Sequence, residues 1–377
     1  MIYFDHNATT PIDERVVEAM LPYLKTFYGN PSSLYRAGRI VRSAIDTARE
    51  QVAALVDAPP SQIIFTSGGT EANNLALRAV PTGLKIAVSV IEHPSIIEPA
   101  IKNRKNECAS IAVDENGLVS FDALEKLVQA SDSPALVSIM LANNESGVIQ
   151  DIVGVASFLK AKQIKLHTDA VQAVGKIPVS FSQLGVDLMS LSSHKIYGPK
   201  GSGALVIDKE VVLEPMLVGG GQERDWRSGT ENVASIVGCG KAAELALQEL
   251  ELRTEHLLAL RNKLERGLKE IPGLLIFSEQ VERLPNTVFI GIQGVDGEML
   301  LMQLDQKNIA VSSGSACASA GAKASPVLTA MGVDRQLAKS AIRISLGKDN
   351  TEDEVNEFNE VLKSIVLKGK KNGNYIN

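Results

Sequence analysis

Residues 187–203 read DLMSLSSHKIYGPKGSG, and the fold turns on how this stretch is read. Asp187 to Leu191 is predicted as a short buried strand. Val206 and its neighbours form the next strand, entered through Gly201 and Gly203. Between them stands Lys195, with His194 before it and a glycine-rich turn after it. A lysine held at a strand end suits Schiff-base formation with an aldehyde. A lysine in an exposed surface loop would give the same local sequence, so the rest of the chain must decide.

Working outward, the same alternation recurs. Ile63-Ile64-Phe65 is a predicted strand, followed by Thr66-Ser67-Gly68-Gly69-Thr70 and a helix over residues 71–77. Strand, small-residue loop and helix start make an anion site, because free backbone N–H groups and the helix dipole point at one spot. A plain strand-to-helix turn has the same outline, and no Gly-Lys-Ser/Thr follows to make a nucleotide loop. Residues 84–90 are a strand ending at Glu92-His93-Pro94, with Ser95 expected to cap the next helix and Pro94 outside it. Residues 135–141 end at Asn143-Asn144-Glu145. Residues 164–167 end at Asp169, with Gln172 three residues on. A helix over 152–162 fits between them. Repeated strand-helix units imply an α/β fold with a mainly parallel sheet flanked by helices. In such sheets ligands gather at the carboxyl ends of the strands. His93, Asn144, Asp169 and Lys195 all fall near strand ends on one side, although Asn and Asp are also common turn residues.

Earlier in the chain, a helix is expected from near Asp13 and another over residues 37–56. Later, Gly219-Gly220-Gly221 opens a loop through Arg224, Arg227 and Thr230 that is suited to an anion or, equally, to exposure. A helical stretch follows over residues 233–269, with an interruption expected near Gly238–Gly240. Beyond Pro272, strands at 287–292, 309–311 and 341–346 and a helix at 297–306 suggest a smaller α/β domain. In the last strand Arg343 faces either solvent or a carboxylate.

The chain has 377 residues, 45% of them hydrophobic and 22% charged, with a net charge of −6. That is the balance of a globular protein with no general affinity for nucleic acid. No apolar run approaches a membrane span. Cys108, Cys239 and Cys317 are too few and too scattered for a disulfide framework or zinc site. With no leader-like start, a reducing cytoplasm is the expected compartment. Cys108 and Cys239 read as structural. Cys317 lies among eleven small residues, 312–322, expected to be a mobile loop that leaves its thiol available for chemistry.

Together, residues 192–195 (SSHK), 167–172 (HTDAVQ), 227–230 (RSGT) and 313–317 (SGSAC) resemble cysteine desulfurases. These are pyridoxal-phosphate enzymes of the class-V aminotransferase group, NifS/IscS type and fold type I. Residues 5–10 (DHNATT) and 29–33 (GNPSS) fit the same family. The resemblance implies a large cofactor domain, residues 15–255. Residues 1–14 and 256–377 would form a small domain bearing the catalytic cysteine. Lys195 would form the Schiff base and shuttle the Cα proton. Asp169 would pair with the pyridine nitrogen, and Gln172 with the ring oxygen. His93 would stack on the ring and handle protons. Gly69, Thr70, Ser192 and His194 would bind the phosphate, with Thr230 supplied by the second subunit of a homodimer. Asn144 and Arg343 would hold the carboxylate of L-cysteine. Cys317 would take the sulfur as a persulfide, release alanine, and pass the sulfur to an iron-sulfur scaffold or a thiolation enzyme. No resident metal is implied. A selenocysteine lyase, another class-V aminotransferase, or a noncatalytic partner-binding subunit would share the scaffold.

Overall fold

The computed structural model describes residues 1–103, 107–313 and 324–371, so Cys317 and its loop lie outside the described residues. The strands are β1 Ile2–Tyr3, β2 Ile63–Thr66, β3 Ile86–Ser89, β4 Cys108–Ile111, β5 Leu136–Ser138, β6 Lys165–Asp169, β7 Leu188–Ser192, β8 Gly203–Ile207, β9 Leu274–Ile276, β10 Thr287–Ile292, β11 Ile309–Ala310, β12 Ser312–Ser313 and β13 Ile342–Ser345. Seven of them form the main sheet in the order β2-β8-β7-β6-β5-β3-β4.

Every neighbouring pair from β7 to β4 is parallel, while β8 runs antiparallel to both β7 and β2. The strands β2 to β7 therefore share one direction, and their carboxyl ends share one edge. The reversed β8 begins at that edge with Gly203. A Cβ there would sit 2.6 Å from Leu191 O and 2.7 Å from Gly68 Cα, so only glycine lets the turn after Lys195 close against the Gly68 loop. Sheet residues such as Ile63, Ile86, Leu136, Leu166, Leu188 and Leu205 are buried. That matches a sheet covered by helices on both faces.

Four further strands, in the order β12-β13-β10-β9, make a second antiparallel sheet. Its apolar cluster includes Ile2, Phe4, Leu260, Val288, Ile344 and Phe358. The first residues thus pack with the last hundred. β1 pairs with β11, and Asp5 bridges to Ser345. Three of the departures from the expected element boundaries have a clear physical cause. The helices Val233–Gln248 and Leu250–Leu268 meet at Glu249, not at the glycines. Gly240 is needed instead for helix packing, since a Cβ there would lie 2.5 Å from Ala48 Cα. Pro94 begins the helix Pro94–Asn103, a position where its missing N–H costs nothing, and His93 takes over the capping role expected of Ser95. The helix after β2 starts two residues early, at Gly69, because Gly68 adopts a φ of 147°.

Candidate active site

At the carboxyl edge of the main sheet lies a cavity of about 350 Å³. Gly69, Thr70, His93, Asn144, Asp169, Gln172, Ser192, His194, Lys195 and Arg343 all line it. Thr230 does not, and is exposed on the chain's own surface. Ten residues spread over 275 positions converge because they lie at or beyond the ends of strands that finish at this edge, or, for Arg343, pack against the edge from the second sheet.

Lys195 sits in the tight turn Ser193–Lys195, directly after β7. Its Nζ donates to the carbonyls of Asn7 at 2.6 Å and Ala8 at 2.7 Å. The amine is thereby held over the cavity by the N-terminal segment. Asp169 closes β6; its Oδ1 accepts from Val171 N at 2.9 Å and its Oδ2 from Asn73 Nδ2 at 2.7 Å. Asn73 was not singled out from the sequence. It stands one helical turn beyond Gly69, and that spacing is the signal that could have found it.

His93 accepts from the backbone N–H of Ser95 through Nδ1 at 3.1 Å. The neutral ring therefore carries its proton on Nε2. Burial lowers its pKa, Lys195 reinforces that, and Asp169 opposes it. This resting form offers a donor at Nε2. Behind it, the buried carboxyl of Glu92 is pushed well above the usual range by burial, with Asp169 adding to the effect. His194 is held at about 4, again mainly by burial.

Arg343 is buried, which settles its alternatives. Nη2 donates to Asp5 Oδ1 at 2.7 Å and Nη1 to Asn144 O at 3.0 Å. Its guanidinium thus ties the N-terminal segment to the Asn144 loop at the cavity wall. Cys239 is fully buried within its helix, and burial pushes its thiol up to about 11, so it is inert as expected.

The residues present fit pyridoxal phosphate. Ser192 Oγ is buried without a hydrogen-bond partner among the described residues. An unsatisfied hydroxyl costs about 1–3 kcal/mol, which a phosphate oxygen would relieve. Gly69 stands beside it, where a Cβ would meet Val171 Cγ2 at 3.0 Å, so glycine keeps the helix N-terminus open to an anion. An amine, a buried carboxylate and this cradle lie around one void. Among the described residues no group of three or more His, Cys, Asp or Glu could hold a metal, and no helix is long and apolar enough to cross a membrane.

The family model for class-V aminotransferases matches residues 2–358. A cysteine desulfurase IscS of Methanosarcina thermophila is 43% identical, over 97% of this chain and 92% of its own length. The X-ray structure of a NifS-like protein from Rickettsia africae superposes with a TM-score of 0.90 at 41% identity, covering 97% of this chain and 99% of that one. SspA, solved in complex with cysteine, has a TM-score of 0.81 at 29% identity, covering 93% of this chain and 100% of that one. A cavity built to hold pyridoxal phosphate at the sheet edge, together with matches along nearly the whole chain, leads to one conclusion: the chain belongs to the class-V aminotransferase family, in its cysteine desulfurase branch.

Proposed function

We propose that the chain is a pyridoxal-phosphate-dependent cysteine desulfurase, converting L-cysteine and the Cys317 thiol into L-alanine and a Cys317 persulfide. The observation that carries this reading is the convergence of Lys195, Asp169 and His93 on one cavity. When bound, pyridoxal phosphate supplies an electron sink that weakens the bonds to the substrate's Cα and sulfur. Lys195 carries the amine that anchors it and moves the Cα proton. Asp169, locked by Asn73 and Val171, presents its carboxylate to the cavity, where it would pair with the pyridine nitrogen. Gln172 faces the ring oxygen. Ser192, His194, Gly69 and Thr70 receive the phosphate. Asn144 and Arg343 orient the substrate carboxylate. Cys317 Sγ gives up its proton and forms the new S–S bond, the Nε2–H of His93 stabilises sulfur anion, the electron pair of the broken C–S bond stays with Cβ, and one proton, equal to that lost by the thiol, completes the methyl group of alanine.

The finer reading is a homodimer. Thr230 faces outward, and exposed Leu24, Tyr28, Leu34 and Val218 leave apolar surface for a second copy. The chain divides into a cofactor domain, 15–255, and a small domain, 1–14 with 256–377; the seven-stranded and four-stranded sheets fall on opposite sides of this division, which passes through the helix Leu250–Leu268, while Ile91 and Met140 share a cluster with Phe277 and Phe289. The protein works in the cytoplasm, and the persulfide passes to an acceptor protein, an iron-sulfur scaffold or a thiolation enzyme.

The test pairs products with the site of sulfur. Wild type given L-cysteine and a thiol reductant should release sulfide and alanine in equal amounts. Without reductant, mass spectrometry should find one added sulfur on Cys317. Cys317→Ser should keep its visible cofactor band yet make almost no persulfide. Sulfur on Cys108 or Cys239, or full alanine production by Cys317→Ser, would overturn the mechanism.

A further inference from the structure

Lys176 is a fully buried lysine that the reaction above does not use. Burial pushes its pKa well below the usual lysine value, and the nearby charges of Lys195 and Arg343 push the same way. Such a position favours an apolar side chain of similar volume, because a buried ion rarely repays its desolvation. Its Nζ instead meets two carbonyl oxygens, Asn7 Oδ1 at 2.8 Å and Gln172 Oε1 at 2.7 Å. The orientation of Asn7 is fixed independently. Its Nδ2 donates to Thr287 Oγ1 at 2.9 Å, and its Oδ1 accepts from Asn286 Nδ2 at 3.0 Å. The amine therefore donates to both oxygens, whether it carries two hydrogens or three.

For Gln172 this has a directional consequence. With Oε1 turned inward to Lys176, Nε2 faces the other way. One of its hydrogens goes to Asn7 O at 2.9 Å. An amide nitrogen has a second hydrogen, and Gln172 lines the cavity. A flipped amide would set its oxygen against Asn7 O and its NH₂ against a donor. We propose that Lys176 is a positioning residue, fixing the Gln172 amide so that an N–H, not a carbonyl oxygen, is presented to the ring oxygen of pyridoxal phosphate. This rests on the reading that Gln172 faces that oxygen.

The experiment compares full-length holoproteins: wild type, Lys176→Met, Gln172→Leu and the double variant. Two quantities are read, the visible cofactor band and the rate of cofactor loss on dialysis, with thermal midpoints as a folding control. Gln172→Leu should displace the band and speed cofactor loss roughly five- to tenfold, the size of one hydrogen bond. Lys176→Met should do the same while keeping or raising the thermal midpoint, and the double variant should be no worse than Gln172→Leu alone. Gln172→Glu probes the contact without altering Lys176. Its carboxylate should pair with the lysine, raising the midpoint above that of Gln172→Leu while the cofactor is still lost faster. The proposal is overturned if Lys176→Met leaves band and loss rate unchanged. It is equally overturned if the Lys176→Met effect persists in full on top of Gln172→Leu, or if Gln172→Glu gains no stability. If Gln172→Leu itself leaves the band in place, the cofactor reading of Gln172 fails, and the role of Lys176 falls with it.

Discussion

Two glycine-led loops in this chain have the same vocabulary and opposite placements. Residues 66–70 and 219–230 each combine glycines with a threonine, and each suits an anion. The first ends a strand at the sheet edge, and its helix start opens into the cavity. The second carries Thr230 out to the surface. Consecutive residues Glu223, Arg224 and Asp225 have positive φ values of 44°, 59° and 66°, a run that only strong anchoring sustains. The anchor is Glu223, whose buried carboxylate accepts from Arg49 Nη2 at 2.7 Å, Arg49 Nη1 at 2.8 Å and Phe65 N at 2.9 Å. Arg227 adds a bond to Glu71 Oε1 at 2.9 Å. Glycines and hydroxyls thus report that backbone N–H groups are available. They do not report which cavity receives them.

The largest effect should come from combining a loss at the cavity with a loss in the second loop. Lys195→Ala should reduce turnover by more than about 10³-fold, because anchoring and proton transfer are lost together. Thr230→Ala should impair phosphate binding in the neighbouring site. Mixed dimers of the two variants should recover activity through one intact site, measured after verified subunit exchange. No recovery would place Thr230 outside catalysis.

A smaller effect should follow from releasing the second loop. Glu223→Ala strands the Arg49 guanidinium in a buried site and should cost about 3–5 kcal/mol in urea unfolding. Changing Arg49 to Met and Glu223 to Leu together should restore much of that stability. An equal loss in the single and double variants would show that the strain of the loop, not the unpaired charge, sets the cost.

The smallest effect concerns the rigid side of the comparison, the sheet beneath the cavity. His167 is buried between Ser138 Oγ and Ser190 Oγ, at 2.9 and 3.0 Å, and burial lowers its pKa to about 3. In the unfolded chain the value is about 6.5. The unfolded state therefore binds the extra proton first as pH falls. Stability from the neutral ring is complete above about pH 6.5 and is lost progressively down to about pH 3. His167→Asn should remove up to about 1.4 kcal/mol per pH unit from the slope of unfolding free energy between pH 6 and 4. An unchanged slope would mean that other groups govern acid unfolding.

Much of this was legible in the chain itself. The strand-helix alternation, the Gly68-Gly69 cradle and the positions of Asp169 and Lys195 after strands all follow from hydrophobic period and turn chemistry, which act over a few residues. A parallel sheet then puts the strand ends on one edge. Tertiary structure decided the rest, because side-chain partners are chosen by elements distant in sequence. Arg343 could face water or a carboxylate until packing set it against Asp5, 338 positions away. Asn7 stood only within the motif of residues 5–10, with no role of its own, yet its carbonyl holds Lys195 and its side chain meets Lys176 and Thr287. The glycines of residues 238–240 suggested a helix break. They instead let two helices touch, since the cost of a glycine in a helix is outweighed once close packing needs the missing Cβ.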